Sequence, residues 1–193
     1  MKPSNKSDER NDAKKRMVQV SKYLSKCLRH QPEQLGLNLK PGGWVVIEEL
    51  LNAAANNGFP ISRLELVTVV ETNEKKRFAF DETGTLIRAN QGHSVPIDLQ
   101  LAPAEPPEVL YHGTAEKNVL AILEQGLQKM NRHHVHLSLD RETATIVGQR
   151  HGKPVVFEIP AKKMHDEGFV FYCSENSVWL VEEVPAEYLR KRN

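Results

Sequence analysis

The sequence predicts an α+β protein built from two small lobes. Three observations predict it. Apolar residues recur at helical spacing through residues 17–71, a hairpin pattern follows at 77–88, and beyond residue 108 strand-like runs alternate with short helices. Pro103, Pro106 and Pro107 stand among small residues between the two patterns, the composition of a stiff connector. The resulting plan is a disordered polar tail at 1–16, a first lobe at 17–98, a linker at 99–108 and a second lobe at 109–193.

In the first lobe, Val20, Leu24, Cys27 and Leu28 share one side of a helix over 17–29, while Lys22, Lys26 and Arg29 project elsewhere. Pro32, Gly36 and Pro41-Gly42-Gly43 break that pattern. Trp44-Val45-Val46-Ile47 then leads into a second apolar-periodic stretch that ends near Gly58. Ser62 and Glu65 have the spacing of a capping box, which opens a third helix running to about Glu71. Arg77-Phe78-Ala79-Phe80 and Thr85-Leu86-Ile87-Arg88 flank the turn Asp81-Glu82-Thr83-Gly84 and read as a hairpin. Three helices closed by a hairpin form a winged-helix pattern.

In the second lobe, Val109-Leu110-Tyr111 and Val135-His136-Leu137-Ser138 read as strands. A helix is expected over 115–125, with Thr114 as its N-cap and Gly126 as its stop. Asp140 is placed to cap another short helix, to about Arg150. Residues 154–159, 169–173 and 178–181 are further β-rich runs with turn signals between them. There is no internal repeat and no low-complexity tract.

Composition excludes several classes. No apolar run approaches the roughly 20 residues that a membrane helix needs, and the polar start lacks the apolar core of a secretory signal, so a cytoplasmic protein is expected. Cys27 and Cys173 are the only cysteines, which argues against a disulfide framework or a thiolate zinc site. A formal net charge of +1 means that any nucleic-acid contact must come from local basic clusters. Nothing in the sequence demands more than a monomer.

Four clusters can carry chemistry. Arg29 and His30 end the first helix, where the helix dipole alone favours cations. Arg88-Ala89-Asn90-Gln91-Gly92-His93-Ser94 offers a guanidinium, two amides, an imidazole and a hydroxyl around a glycine. In Asn131-Arg132-His133-His134-Val135-His136, strand alternation sends Arg132, His134 and His136 to one face. Two such imidazoles could ligate zinc, but no nearby carboxylate or cysteine completes a first shell; a structural role for His133 and His136 also stays open. Tyr111-His112-Gly113-Thr114 runs from a strand towards a helix, with a glycine that lets backbone approach a ligand. Cys27, spaced with Val20 and Leu24, fits a buried core position better than a nucleophile.

Taken in order, Leu28-Arg29-His30, Ile87-Arg88-Ala89-Asn90-Gln91-Gly92-His93-Ser94, Tyr111-His112-Gly113-Thr114 and Arg132-His133-His134-Val135-His136-Leu137-Ser138 resemble the RNA 2′-phosphotransferase family. The resemblance spans residues 18 to about 185. It implies a winged-helix lobe that binds RNA and phosphate, and a second lobe of the ADP-ribosyltransferase fold that binds NAD+, the RNA 2′-phosphate and NAD+ meeting between them. It further implies that Arg29, His30, Arg88 and Arg132 are catalytic. Tyr111, His112, Gly113, Thr114 and Ser138 match NAD-facing positions, and Asn90, Gln91 and His93 are expected to line the substrate.

The implied reaction has two steps. A phosphate oxygen of the RNA displaces nicotinamide to give an RNA joined to ADP-ribose through its 2′-phosphate. A ribose hydroxyl then attacks phosphorus, giving 2′-hydroxyl RNA and ADP-ribose 1″,2″-cyclic phosphate. Phosphate is already an anion, so orientation and charge neutralisation matter more than a general base. Arginine forks hold phosphate oxygens in bidentate fashion and stay charged, and no metal is needed. His30 is expected either as general acid to the leaving 2′-oxygen or as a donor to phosphate. A nucleic-acid binder without catalysis and a protein mono-ADP-ribosyltransferase using Glu175 are the alternatives.

Overall fold

The structure is a computed structural model that describes residues 6–191. The chain divides into two compact units, 1–99 and 100–193. Mixed helix and sheet run through both, with small antiparallel sheets in each, so the α+β class holds.

In the first unit, α1 spans Lys6–Arg29. The stretch read from the sequence as a disordered tail is therefore helical from Lys6 onward, while residues 1–5 lie outside the described ones. The difference has a simple cause. Residues 6–16 are mostly charged, helix-compatible side chains with no apolar stripe, so periodicity detects only the part of α1 that faces the core. Arg16 anchors the helix midway: its Nε donates to Glu65 Oε1 at 2.7 Å and its Nη2 donates to the Pro60 carbonyl at 2.5 Å.

After α1 come β1 (Val45–Val46), α2 (Ile47–Asn56), α3 (Arg63–Thr72), β2 (Phe78–Phe80) and β3 (Leu86–Ala89). The sheet order is β1-β3-β2, with Val45 opposite Ile87 and Phe78 opposite Ala89. Val20, Leu24 and Leu28 of α1 are fully buried with Leu50, Leu66 and Ile87. The hairpin turn closes on Asp81, whose carboxylate accepts from the Thr85 and Leu86 amides at 2.9 and 2.7 Å.

The expected capping box forms at α3. Ser62 Oγ accepts from the Glu65 amide at 3.2 Å, and Glu65 Oε2 accepts from the Ser62 amide at 2.8 Å. Arg16 and these capping bonds hold the Glu65 carboxyl down to about 2. Replacing Glu65 by alanine is expected to cost about 1–2 kcal/mol at pH 7, the usual range for a lost cap. Because the folded-state value is depressed, the stabilisation is full above the ordinary carboxylate value and is lost as pH falls towards 2. Urea denaturation of wild type and Glu65→Ala should show the gap narrowing between pH 7 and pH 3; a constant gap contradicts the assignment.

The second unit contains β4 (Leu110–Ala115), α4 (Val119–Gln125), β5 (Leu127–Gln128), β6 (Val135–Leu137), α5 (Arg141–Gln149), β7 (Pro154–Ile159), α6 (Ala161–Asp166), β8 (Phe171–Cys173), β9 (Trp179–Val181), β10 (Glu183–Val184) and β11 (Arg190–Lys191). Its sheets are β11-β7-β4, β6-β9-β8 and the pair β10-β5. Leu110, Phe157, Ile159, Met164 and Phe171 are fully buried in its core. The Pro-bearing segment is not a free connector. Ala104 donates its amide to Phe171 O at 2.8 Å and Pro103 bridges Tyr172, so this stretch lies along β8.

Thr114 is not a helix cap. Its strand continues through Ala115 because the β7 ladder pairs Thr114 with Val155 and Ala115 with Pro154, and α4 starts only after a single turn at Glu116–Asn118. Gly126 does end α4, at φ 76°, and Asp140 caps α5 by accepting from the Thr143 amide at 2.7 Å. Among the described residues, no helix is long and apolar enough to cross a membrane.

Candidate active site

The end of α1 and the segment after β3 come together in the first unit. The Ser94 amide donates to the Arg29 carbonyl at 2.9 Å, and His30 Nδ1 lies 2.9 Å from Ser94 Oγ. Arg29 is half-buried, its Nη2 donating to the Arg77 carbonyl at 3.4 Å. Gly92, at φ 86°, turns the chain beside it: a Cβ there would sit 3.7 Å from Arg29 Nη1. Arg88 projects from β3 with its guanidinium 4.5 Å from the centre of the Trp44 ring. A cation held over an aromatic face in this way is restrained in position, which suits a phosphate ligand.

Of the three residues expected to line the substrate, only Gln91 keeps appreciable exposure. Asn90 is 5% exposed and donates its amide to the Lys76 carbonyl at 2.8 Å, tying β3 to the turn before β2. His93 is 1% exposed and packs beside Gly43 and Leu99. Both are placed to shape the segment that carries Gln91 and Ser94. Burial also pushes the Cys27 thiol up to about 11, which keeps it protonated and inert at neutral pH.

In the second unit the Tyr111 and Ser138 segments meet directly. The Tyr111 amide donates to Ser138 O at 2.9 Å and the Ser138 amide donates to Tyr111 O at 2.8 Å. This bridge sets His112 against β6, with Nδ1 3.1 Å from the His136 carbonyl. Only a protonated Nδ1 makes that bond, so in the neutral ring Nε2 is left as an acceptor. Arg132 Nη1 stands 3.5 Å from His136 Nδ1. His112, Thr114, Asn118, Arg132, His134 and His136 line one cavity of about 570 Å³, within the range of small-molecule sites. β6 begins only at Val135, so the strand alternation expected for Arg132, His134 and His136 does not extend to Arg132 and His134; Val135 lines the same cavity, and His133 and His134 both line a second hollow.

Gly113 has a packing role that the sequence did not show. A Cβ there would lie 1.6 Å from the Ala144 carbonyl oxygen and 2.5 Å from its carbon. Its missing side chain admits α5 against β4, and Gly148 reciprocates, with a Cβ position 2.8 Å from Thr114 O. The glycine therefore serves helix-to-strand packing that holds His112 and Thr114 in place. Trp44 and Asn118 were not found by sequence reasoning, and Ser94 was singled out only as the hydroxyl of its cluster, without its partner. Trp44 and Ser94 act through pairings that only the folded unit makes, and Asn118 reaches Thr114 Oγ1 at 3.2 Å. Its spacing four residues after Thr114 was the available signal for Asn118. Among the described residues, no group of three or more His, Cys, Asp or Glu side chains is arranged to hold a metal.

His112 is half-buried by surface area but sits deep among protein atoms, and burial holds its ring below the usual 6.5. A depressed folded-state value means full stability above about 6.5 and progressive loss as pH falls below it. Wild type should therefore lose thermal stability relative to His112→Asn between pH 7 and pH 5. Parallel melting curves across that range would show that the ring is not desolvated.

Comparison with known proteins gives a consistent picture. Residues 15–183 match the family described as RNA 2′-phosphotransferase, Tpt1 / KptA family. A protein of Nostoc punctiforme named "Probable RNA 2′-phosphotransferase" is 64% identical over 176 residues, covering 91% of this chain and 97% of the relative. Proteins of the same name from Trichormus variabilis and Streptomyces coelicolor are 63% and 58% identical, over 92% and 91% of this chain and 98% and 95% of their own lengths. With the match spanning both units and every candidate segment, this chain belongs to the RNA 2′-phosphotransferase, Tpt1 / KptA family.

Proposed function

We propose that this protein removes an internal 2′-phosphate from RNA by transferring it to NAD+, releasing 2′-hydroxyl RNA, ADP-ribose 1″,2″-cyclic phosphate and nicotinamide. The observation that carries this reading is the joining of Arg29, His30 and Ser94 at the end of α1, in a chain of this family. The element order α1-β1-α2-α3-β2-β3 supports reading the first unit as a winged-helix lobe. The antiparallel sheets and cavity of the second support an ADP-ribosyltransferase-like lobe that binds NAD+.

The donor set of the cavity fits a dinucleotide. His112 Nε2 would be available to accept from a ribose hydroxyl, the Asn118 amide and Thr114 hydroxyl would hold polar edges, and the Arg132 guanidinium would hold a phosphate oxygen. When bound, NAD+ supplies an anomeric carbon whose leaving group, nicotinamide, departs neutral. The chain's own work is positional and electrostatic: Arg29, Arg88 and Arg132 neutralise phosphate oxygens as charge builds at phosphorus. Ser94 orients the His30 ring, the member able to move a proton near neutral pH. Incubation with NAD+ and a short RNA bearing one internal 2′-phosphate, in excess chelator, should yield nicotinamide and the cyclic phosphate. Label transferred to protein with the RNA unchanged would instead identify a protein ADP-ribosyltransferase.

A further inference from the structure

A second basic feature lies outside the residues assigned above. A groove of about 680 Å³ runs along α1, lined by Lys14, Lys22, Lys26, Lys75 and Arg77, with His30 at one end. Among the described residues, its single carboxylate is Glu74. Lys14, Val18, Lys22 and Lys26 recur every four residues, so they form one stripe on the helix, separate from the buried Val20, Leu24 and Leu28. From Lys14 to Lys26 the helix rises about 18 Å, which matches about five phosphate spacings of a stacked strand.

The opposite wall is built rather than incidental. Asn73 at the end of α3 donates its amide to Ser21 Oγ at 3.2 Å, while its carbonyl oxygen accepts from the Lys75 amide at 3.0 Å and from Arg77 Nη1 at 3.4 Å. One side chain thus sets the separation of α1 from the segment that carries Lys75 and Arg77. Ser21 and Ser25 supply hydroxyls between the lysines.

We infer that this groove is the track for the ribose-phosphate backbone of the RNA strand flanking the 2′-phosphate. Its chemistry favours that occupant. The cations are spaced along a line, as repeating phosphodiesters require, and hydroxyls between them match ribose. Apart from the His30 ring at its end, no aromatic side chain among the described residues lines the groove, so the track offers no run of base-stacking faces and is indifferent to sequence. Among the described residues, Val18 is its only large apolar side chain, too little to seat a membrane-inserting or apolar partner. The track ends at His30, whose ring meets Ser94 in the cluster assigned to the phosphate, so the inference rests on the proposed function for what lies at that end.

The test uses the full chain with Lys22→Gln and Lys26→Gln combined, and with Lys22→Arg and Lys26→Arg combined as the charge-keeping control. Fluorescence anisotropy with an unphosphorylated RNA decamer, without NAD+, reads the track alone. The glutamine pair should weaken decamer binding about tenfold and flatten the dependence of log Kd on log salt by about 1.4, or about 0.7 per lost phosphate contact on a single strand. The arginine pair should match wild type. In turnover, kcat/KM should fall for a 2′-phosphorylated decamer and hold for a 2′-phosphorylated trimer. Unchanged decamer affinity and salt slope, or an equal loss on trimer and decamer, overturns the track. So does a loss confined to an acidic peptide or to phosphatidylserine vesicles. If wild type turns over neither RNA, the proposed function fails while the anisotropy result still decides the groove.

Discussion

Replacing Arg132 by lysine is expected to lower kcat/KM for 2′-phosphorylated RNA on the order of 100–1,000-fold, the usual consequence of losing one preorganised donor at a reacting centre. The variant keeps the positive charge and loses only the planar fork, so it separates geometry from charge. Arg132 is exposed, and its guanidinium approaches His136 Nδ1 at 3.5 Å without supporting the core. Melting temperature should accordingly shift by no more than about 1–2 °C, as for surface substitutions of about 0.5 kcal/mol in a chain of this size. Steady-state kinetics with the released nicotinamide as readout checks the first expectation and calorimetry the second. Unchanged turnover removes Arg132 from the catalytic set, and a large loss of stability assigns it a structural role instead.

Gly113→Ala is expected to have the largest effect on stability. Its Cβ would lie 1.6 Å from the Ala144 carbonyl oxygen, a backbone atom of α5 that cannot swing aside like a side-chain tip. Either α5 moves away from β4 or the strand leaves its register, and both disturb His112 and Thr114. Overpacking typically costs about 1–3 kcal/mol, and a backbone clash this close places Gly113→Ala at the upper end, about 3 kcal/mol, which corresponds to about 6–12 °C in melting temperature. Gly36→Ala supplies the contrast. Gly36 has φ +66° and open space around a Cβ, so only backbone strain of about 1–2 kcal/mol is expected there. Equal melting shifts for the two variants would mean that α5 does not pack against Gly113 as described.

Most element types were legible in the sequence, and the reason differs from element to element. Ser62 with Glu65, Asp140 before α5 and Gly126 after α4 act within a few residues, so local chemistry specifies them. The strand Pro154–Ile159 is apolar and β-branched enough to declare itself. Thr114 misled because a threonine before a helical stretch is a legitimate cap, and only pairing with Val155 reveals a strand. The 6–16 stretch misled because periodicity reports burial, and the exposed, mostly polar residues 10–15 leave no periodic trace. The candidate residues fared similarly. Their order along the chain was readable as a motif, yet Asn90 and His93 look like ligand-binding residues until their burial is known.

By itself, then, the sequence determined the two-part organisation, the family and the identity of the cationic residues, because composition, periodicity and short motifs are properties of neighbours along the chain. Tertiary structure alone decided what those residues touch. It put Trp44 under Arg88, Ser94 on His30 and Ala144 against Gly113, and it aligned Lys14, Lys22 and Lys26 opposite Arg77. The physical reason is that orientation, burial and electrostatic environment depend on groups many residues away. Residue type specifies only which bonds a side chain is able to make, and packing selects among them.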